Sequence, residues 1–241
     1  MKWRVSLHEG HDGEPGIEAW VPALIGFATW APTEADLYDR LTKKLDEHFR
    51  WLAHHRLNAP SEDPGFEVVE RVTGGEVLFE TDDRPASPEE IDLALHLLAA
   101  SRADLLAALD GASDDLLDWD PPYARFAAWA DWRTIRANLV HVANGETHYY
   151  LPSIGHQPDT APATPEEDWR RMVHRSREEA AGFLRELRSS SDRTRLTTID
   201  HGFGEERWSV RKVLRRMVRH ELTHWKSIRR IGREYERRIG S

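Results

Sequence analysis

The sequence contains no cysteine. That single absence excludes disulfides, thiolate metal ligands and a cysteine nucleophile, so any metal must be held by nitrogen or oxygen. Long apolar runs are missing as well, and no stretch approaches the ~20 residues needed to cross a bilayer. The opening stretch MKWRVSLHEGHDGEPG lacks the apolar core of a secretory signal. The expectation is a cytoplasmic protein with no membrane partner. Positive charge is in deficit overall. The net charge of −9 argues against a general nucleic-acid binder. Lysine is scarce, confined to positions 2, 43, 44, 212 and 226.

The 241 residues suffice for one large domain or two small ones. Hydrophobic residues make up 39% and charged residues 31%, the balance of a globular chain. Histidine, with 13 copies, and tryptophan, with 10, are plentiful. Between Arg207 and Arg238 twelve Lys or Arg residues stand against three Glu. A charge run of this kind reads as the solvated face of a long helix.

The first 82 residues have a mixed texture. KWRVSLHE alternates like a strand, and GIEAWVPALIGFATWAP reads as one or two more, broken at Pro22 and Gly26. Thr33 suits a helix N-cap, followed by an apolar stripe at Leu37, Leu41, Leu45, Phe49 and Leu52. FEVVERVTGGEVLFETD predicts two strands joined at Gly74 and Gly75. Ser87 and Pro88 then suit a helix start. Beyond that point the pattern predicts no strand, but four helices at roughly 88–109, 132–150, 165–189 and 207–236. The expected fold is an α+β N-terminal domain, residues 1–84, followed by an all-α four-helix bundle, residues 85–241.

The final helix carries RHELTHW, a His-Glu-x-x-His pattern. Val210, Val213, Leu214, Met217, Ile228 and Ile231 mark its inner face, and steps of three and four residues place His220 and His224 on that face. Two buried imidazoles each cost on the order of a kcal/mol or more unless something bonds them. A metal ion, or hydrogen bonds to core partners, would meet that need. The same motif opens many zinc peptidases, with the intervening glutamate, here Glu221, as base. Those enzymes take a further ligand from downstream, and the 17 residues after His224 contain no histidine. The peptidase reading is therefore the weakest. Upstream, WRTIRANLVHVANGETHYY has its inner face at Ile135, Leu139 and Val142. His141 lies near the edge of that face, His148 on the same side seven residues on, and Glu146 between them. One histidine from this helix and two from the last would make a three-nitrogen site with open positions.

The segments WRTIRANLVHVANGE and WSVRKVLRRMVRHELTHWKSI resemble the second and fourth helices of the DinB-like, YfiT-like superfamily of metal-binding four-helix bundles. The resemblance covers about residues 88–236. It implies that His141, His220 and His224 bind a divalent metal, with Glu146 and His148 as outer partners. Three imidazoles suit zinc or nickel first, then cobalt or iron. The sequence departs from the family after the last histidine. There Trp225-Lys226-Ser227 replaces the usual basic residue, glycine and glutamine. Residues 1–57 also resemble, more distantly, a HicB-type antitoxin domain, which would imply a partner-binding module.

The bundle resemblance implies a metal-dependent transferase that joins a low-molecular-weight thiol, of the mycothiol or bacillithiol type, to an electrophile. Glu221 or Glu146 would orient a ligand histidine or accept a proton. Relatives pair through helix faces, so a homodimer is implied too. The alternative is a non-catalytic binding or regulatory protein whose bundle is stabilised by metal.

Overall fold

A computed structural model of the chain describes residues 2–10, 15–58, 65–124, 130–200 and 204–240. The chain forms two compact units. One comprises Met1–Pro85 with Thr194–Arg215, the other Ala86–Arg193 with Arg216–Ser241. The expected division at residue 84 thus differs in one respect: residues 194–215, read as part of the helical half, gather with the sheet.

In the first unit, β1 (Trp3–Glu9), β2 (Ile17–Trp20), β3 (Ala28–Ala31) and β4 (Phe66–Thr73) form a sheet in the order β3-β2-β1-β4. β2 runs antiparallel to both β1 and β3, whereas β4 lies parallel to β1. Helix α1 (Glu34–His54) begins where the Thr33 side chain accepts from the Asp36 amide. Its Leu37, Leu41 and Leu45 share a core with Val5, Leu7, Ala19 and Ala31 of the sheet and with Val21 and Phe27 of the β2–β3 connection. The hairpin expected around Gly74 and Gly75 is half realised. After β4 the chain forms no partner strand but a 3-10 turn, Glu80–Asp83. Asp82 turns its carboxylate back to the Phe79 amide, 3.0 Å away, and Phe79 packs on Trp20.

The segment 194–215 corrects the expectation that no strand follows residue 88. β5 (Thr197–Asp200) and β6 (Glu205–Trp208) pair antiparallel. The first turns of the last helix, α6 (Val210–Ile239), also belong to this unit. There the expectation of a solvated basic face fails at two positions. Lys212 is fully buried, with Nζ 3.7 Å from the centre of the Trp208 ring system and donating to the Arg207 carbonyl. Arg215, 7% exposed, bonds Asp82 and lies against the rings of Trp20 and Phe79. Counting charges along a helix does not reveal that two of them meet aromatic faces and a buried carboxylate.

The second unit is helical. α2 (Pro88–Ala108) starts with a capping box between Ser87 and Glu90. A short helix α3 (Asp114–Asp118) precedes α4 (Ile135–Asn144), and Arg136 ties the two together through Asp114 and Asp118. α4 runs directly into one wide π turn, Gly145–Tyr150. α5 (Trp169–Arg188) follows, capped by Asp168, and α6 from Arg216 onward completes the unit. Leu105 and Leu109, Leu117, Ile135 and Leu139, Met172 and Val173, and Ile228 and Ile231 join these helices in one core. Among the described residues, no helix is long and apolar enough to cross a membrane.

Candidate metal centre

Each histidine arrives from a helix whose apolar stripe fixes its rotation. On α4, Ile135, Leu139 and Val142 are fully buried, which leaves His141 at the edge of the inner face. On α6, Met217, Val218 and Leu222 are buried around His220 and His224. The result brings His141, His220 and His224 together, with one potential ligand atom from each within 4.8 Å of the others. The Nε2 atoms of His141 and His220 stand 2.8 Å apart. Two neutral imidazoles make that contact only if one carries its hydrogen on Nε2, and a cation would take that hydrogen's place.

The setting keeps the rings unprotonated. Desolvation pushes His141 down to about 4. Burial, then the neighbouring His224, His141 and Arg216, holds His220 well below the ordinary imidazole range. Burial and His141 do the same to His224. Metal ligation requires neutral imidazoles, and this pocket supplies them. The donor set, three imidazoles with no thiolate, fits a divalent cation.

Several residues that sequence reasoning passed over shape the cluster. Trp132 lies flat on His141, with ring centres 3.7 Å apart and planes 23° from parallel. It also meets His224 edge-on. Tyr150 meets His220 edge-on at 5.4 Å. Asn138 accepts from or donates to three groups, His224 Nδ1 among them. Gly145 opens the π turn directly under His220, and a Cβ there would fall 2.9 Å from His220 Cε1. The Gly-Glu pair at the end of α4 was the available signal. A glycine one turn after a candidate ligand, inside an otherwise regular helix, marks close approach.

The other candidates lie elsewhere. Glu221, 1% exposed, receives Arg102 Nε at 2.7 Å and also pairs with Arg177. Glu146 pairs with the same two arginines, with Arg102 Nη2 3.1 Å away. Burial alone would raise the Glu221 carboxyl, but Arg102 and Arg177 outweigh it and keep the group below the usual carboxylate range. Conversely, the two carboxylates overcome the desolvation of Arg102 and raise its pKa. These four charges form a network joining α2, α5, α6 and the π turn. His148 bonds the Thr147 hydroxyl and the Thr160 carbonyl, fastening the loop that follows. His96 of α2 is exposed and stands apart from the cluster.

The profile of the DinB superfamily matches residues 97–228. That span contains the three clustered histidines, Trp132, Asn138, Gly145 and the buried charge network. No curated protein and no solved structure matches the chain.

Proposed function

Since the chain belongs to the DinB superfamily, we propose that α2, α4 with its π turn, α5 and α6 form a four-helix bundle that holds a divalent cation, zinc or nickel, on His141, His220 and His224. The observation that carries this reading is the convergence of three neutral imidazole nitrogens from α4 and α6. We further propose that the activity is transfer of a low-molecular-weight thiol to an electrophile. A three-imidazole cation with an open position, when bound, supplies the Lewis acidity that lowers the pKa of a thiol. The sequence has no cysteine, so the thiol must come from a cosubstrate.

The chain's own groups divide the remaining work. Trp132 and Tyr150 present aromatic surface against the ligand rings, which excludes water and limits their rotation. Glu221 and Glu146 are committed to Arg102 and Arg177, so neither serves as the base in this reading. Their task is to lock the helices that carry the histidines. The peptidase alternative loses its general base for the same reason.

The test begins with elemental analysis of protein purified without an affinity tag. Near-stoichiometric zinc or nickel is expected in the native protein, and its loss in His141→Ala, His220→Ala and His224→Ala. Conjugation of a fluorogenic electrophile with mycothiol, bacillithiol or glutathione, with and without chelator, then tests the reaction. Stoichiometric metal without thiol-dependent turnover would instead support a metal-stabilised binding protein.

A further inference from the structure

Asn138 is 1% exposed and uses its whole side-chain amide. Nδ2 lies 2.8 Å from the Trp132 carbonyl and 2.8 Å from the Thr134 carbonyl. Carbonyl oxygens only accept, so both must face the amide's donor end. The amide therefore cannot be turned round, and Oδ1 must be the atom 2.7 Å from His224 Nδ1. An amide oxygen also only accepts. His224 must then carry its hydrogen on Nδ1, and in a neutral ring the lone pair stays on Nε2.

We propose that Asn138 is a positioning residue that fixes His224 in the Nδ1–H tautomer and so presents its Nε2 to the cation. The same amide holds the backbone of Trp132, whose ring covers His141. One buried side chain thus sets the tautomer of one ligand and seats the ring that flanks another. Free imidazole side chains in water favour the Nε2–H tautomer, so the opposite choice here needs a local cause. The consequence for metal binding rests on the reading of the centre given above, whereas the tautomer belongs to the metal-free protein and stands apart from it.

The experiment uses full-length protein labelled with ¹⁵N and stripped of metal by a chelator. Long-range ¹H–¹⁵N correlation at neutral pH reads the tautomer of each imidazole. The native protein is expected to show His224 protonated on Nδ1, and Asn138→Leu, of similar size but without polar atoms, to shift it toward Nε2–H. Asn138→Asp keeps an acceptor facing Nδ1 and is expected to retain the native tautomer even where loss of the two donated bonds lowers stability. An unchanged tautomer in Asn138→Leu, or the same shift in Asn138→Asp, overturns the proposal. Cobalt(II) titration provides the second readout, with binding to Asn138→Leu expected to weaken about 10–100-fold and its visible absorption to change. Equal cobalt affinity in the native protein and Asn138→Leu overturns the proposal and leaves the metal centre standing. No cobalt uptake by a native protein that shows the Nδ1–H tautomer overturns the metal centre and leaves the role of Asn138 standing.

Discussion

Glu221 gives its carboxylate to Arg102, whose Nε lies 2.7 Å from Oε1, although the residue sits between the two histidines of α6 in sequence. On a helix, neighbours in sequence point about 100° apart, so the histidines and the glutamate serve different faces. His220 and His224 look toward α4, and Glu221 looks toward α2 and α5. Replacing Glu221 by Gln leaves the buried Arg102 and the partly buried Arg177 with one carboxylate between them. Removing one partner from a buried ion pair costs about 3 kcal/mol or more. Guanidinium unfolding of the metal-free protein should show a loss of that order, with metal stoichiometry retained. A base in a peptidase would give the reverse: unchanged stability and abolished hydrolysis.

Gly145 offers a sharper separation between fold and site. Its backbone is ordinary right-handed helix, so alanine meets no conformational penalty there. Alanine is in fact favoured over glycine in a helix by about 1 kcal/mol. The obstacle is the imidazole of His220, 2.9 Å from the added carbon. Gly145→Ala should therefore displace His220 and weaken metal binding, measured by competition against a chromogenic chelator. Thermal unfolding of the metal-free variant should change little. Unaltered affinity would show that the ring moves aside without leaving the cluster.

What the sequence made legible follows from which interactions are local. Thr33 and Ser87 are caps whose partners lie three residues away, and both helices start where those residues predict. The stripes on α4 and α6 are periodic, so the facing of His141, His220 and His224 could be read before any contact was known. The strands β5 and β6 escaped because each is four residues long and its partner is the other short strand, so neither offers a run long enough to show a period. Likewise, Asn138 and Arg102 look unremarkable in sequence. Their partners are 86 and 119 residues distant, and no spacing rule reaches that far. Glu221 was misleading because a motif assigns it a role that only its direction can decide.

Asp82 and Arg215 illustrate the same long-range dependence in the first unit. Arg215 places Nη2 2.8 Å from the Asp82 carboxylate and lies against two aromatic rings. Asp82→Ala would leave the guanidinium buried without its counter-charge and would also remove the acceptor of the Phe79 amide. A loss of about 3 kcal/mol is expected, read by chemical denaturation. Charge removal at both positions, Asp82→Ala with Arg215→Met, should recover part of it, because no unpaired ion then remains. A double variant no more stable than Asp82→Ala alone would count against the ion pair as the cause.

Acid should destabilise the metal-free protein over a defined window, and the sign follows from His141. An unfolded imidazole takes up its proton near 6.5, whereas His141 in the folded chain does so only at about 4. Between those values the unfolded state binds more protons, so stability rises with pH across the window and falls as the solution is acidified through it. Above about 6.5 these rings contribute no slope. His141 alone accounts for up to about 3 kcal/mol over the whole interval. His220 and His224 are depressed in the same direction by burial, so they steepen the fall. A bound cation competes with protons for the same nitrogens, so loading with zinc should move the acid limb to lower pH. Denaturant unfolding at a series of pH values, for the native protein and for His141→Gln, isolates the contribution. The variant should show a shallower decline below neutrality. Two superimposable curves would mean that His141 takes up its proton as easily in the folded chain as in the unfolded one, and the packing of Trp132 over its ring would then have no electrostatic consequence.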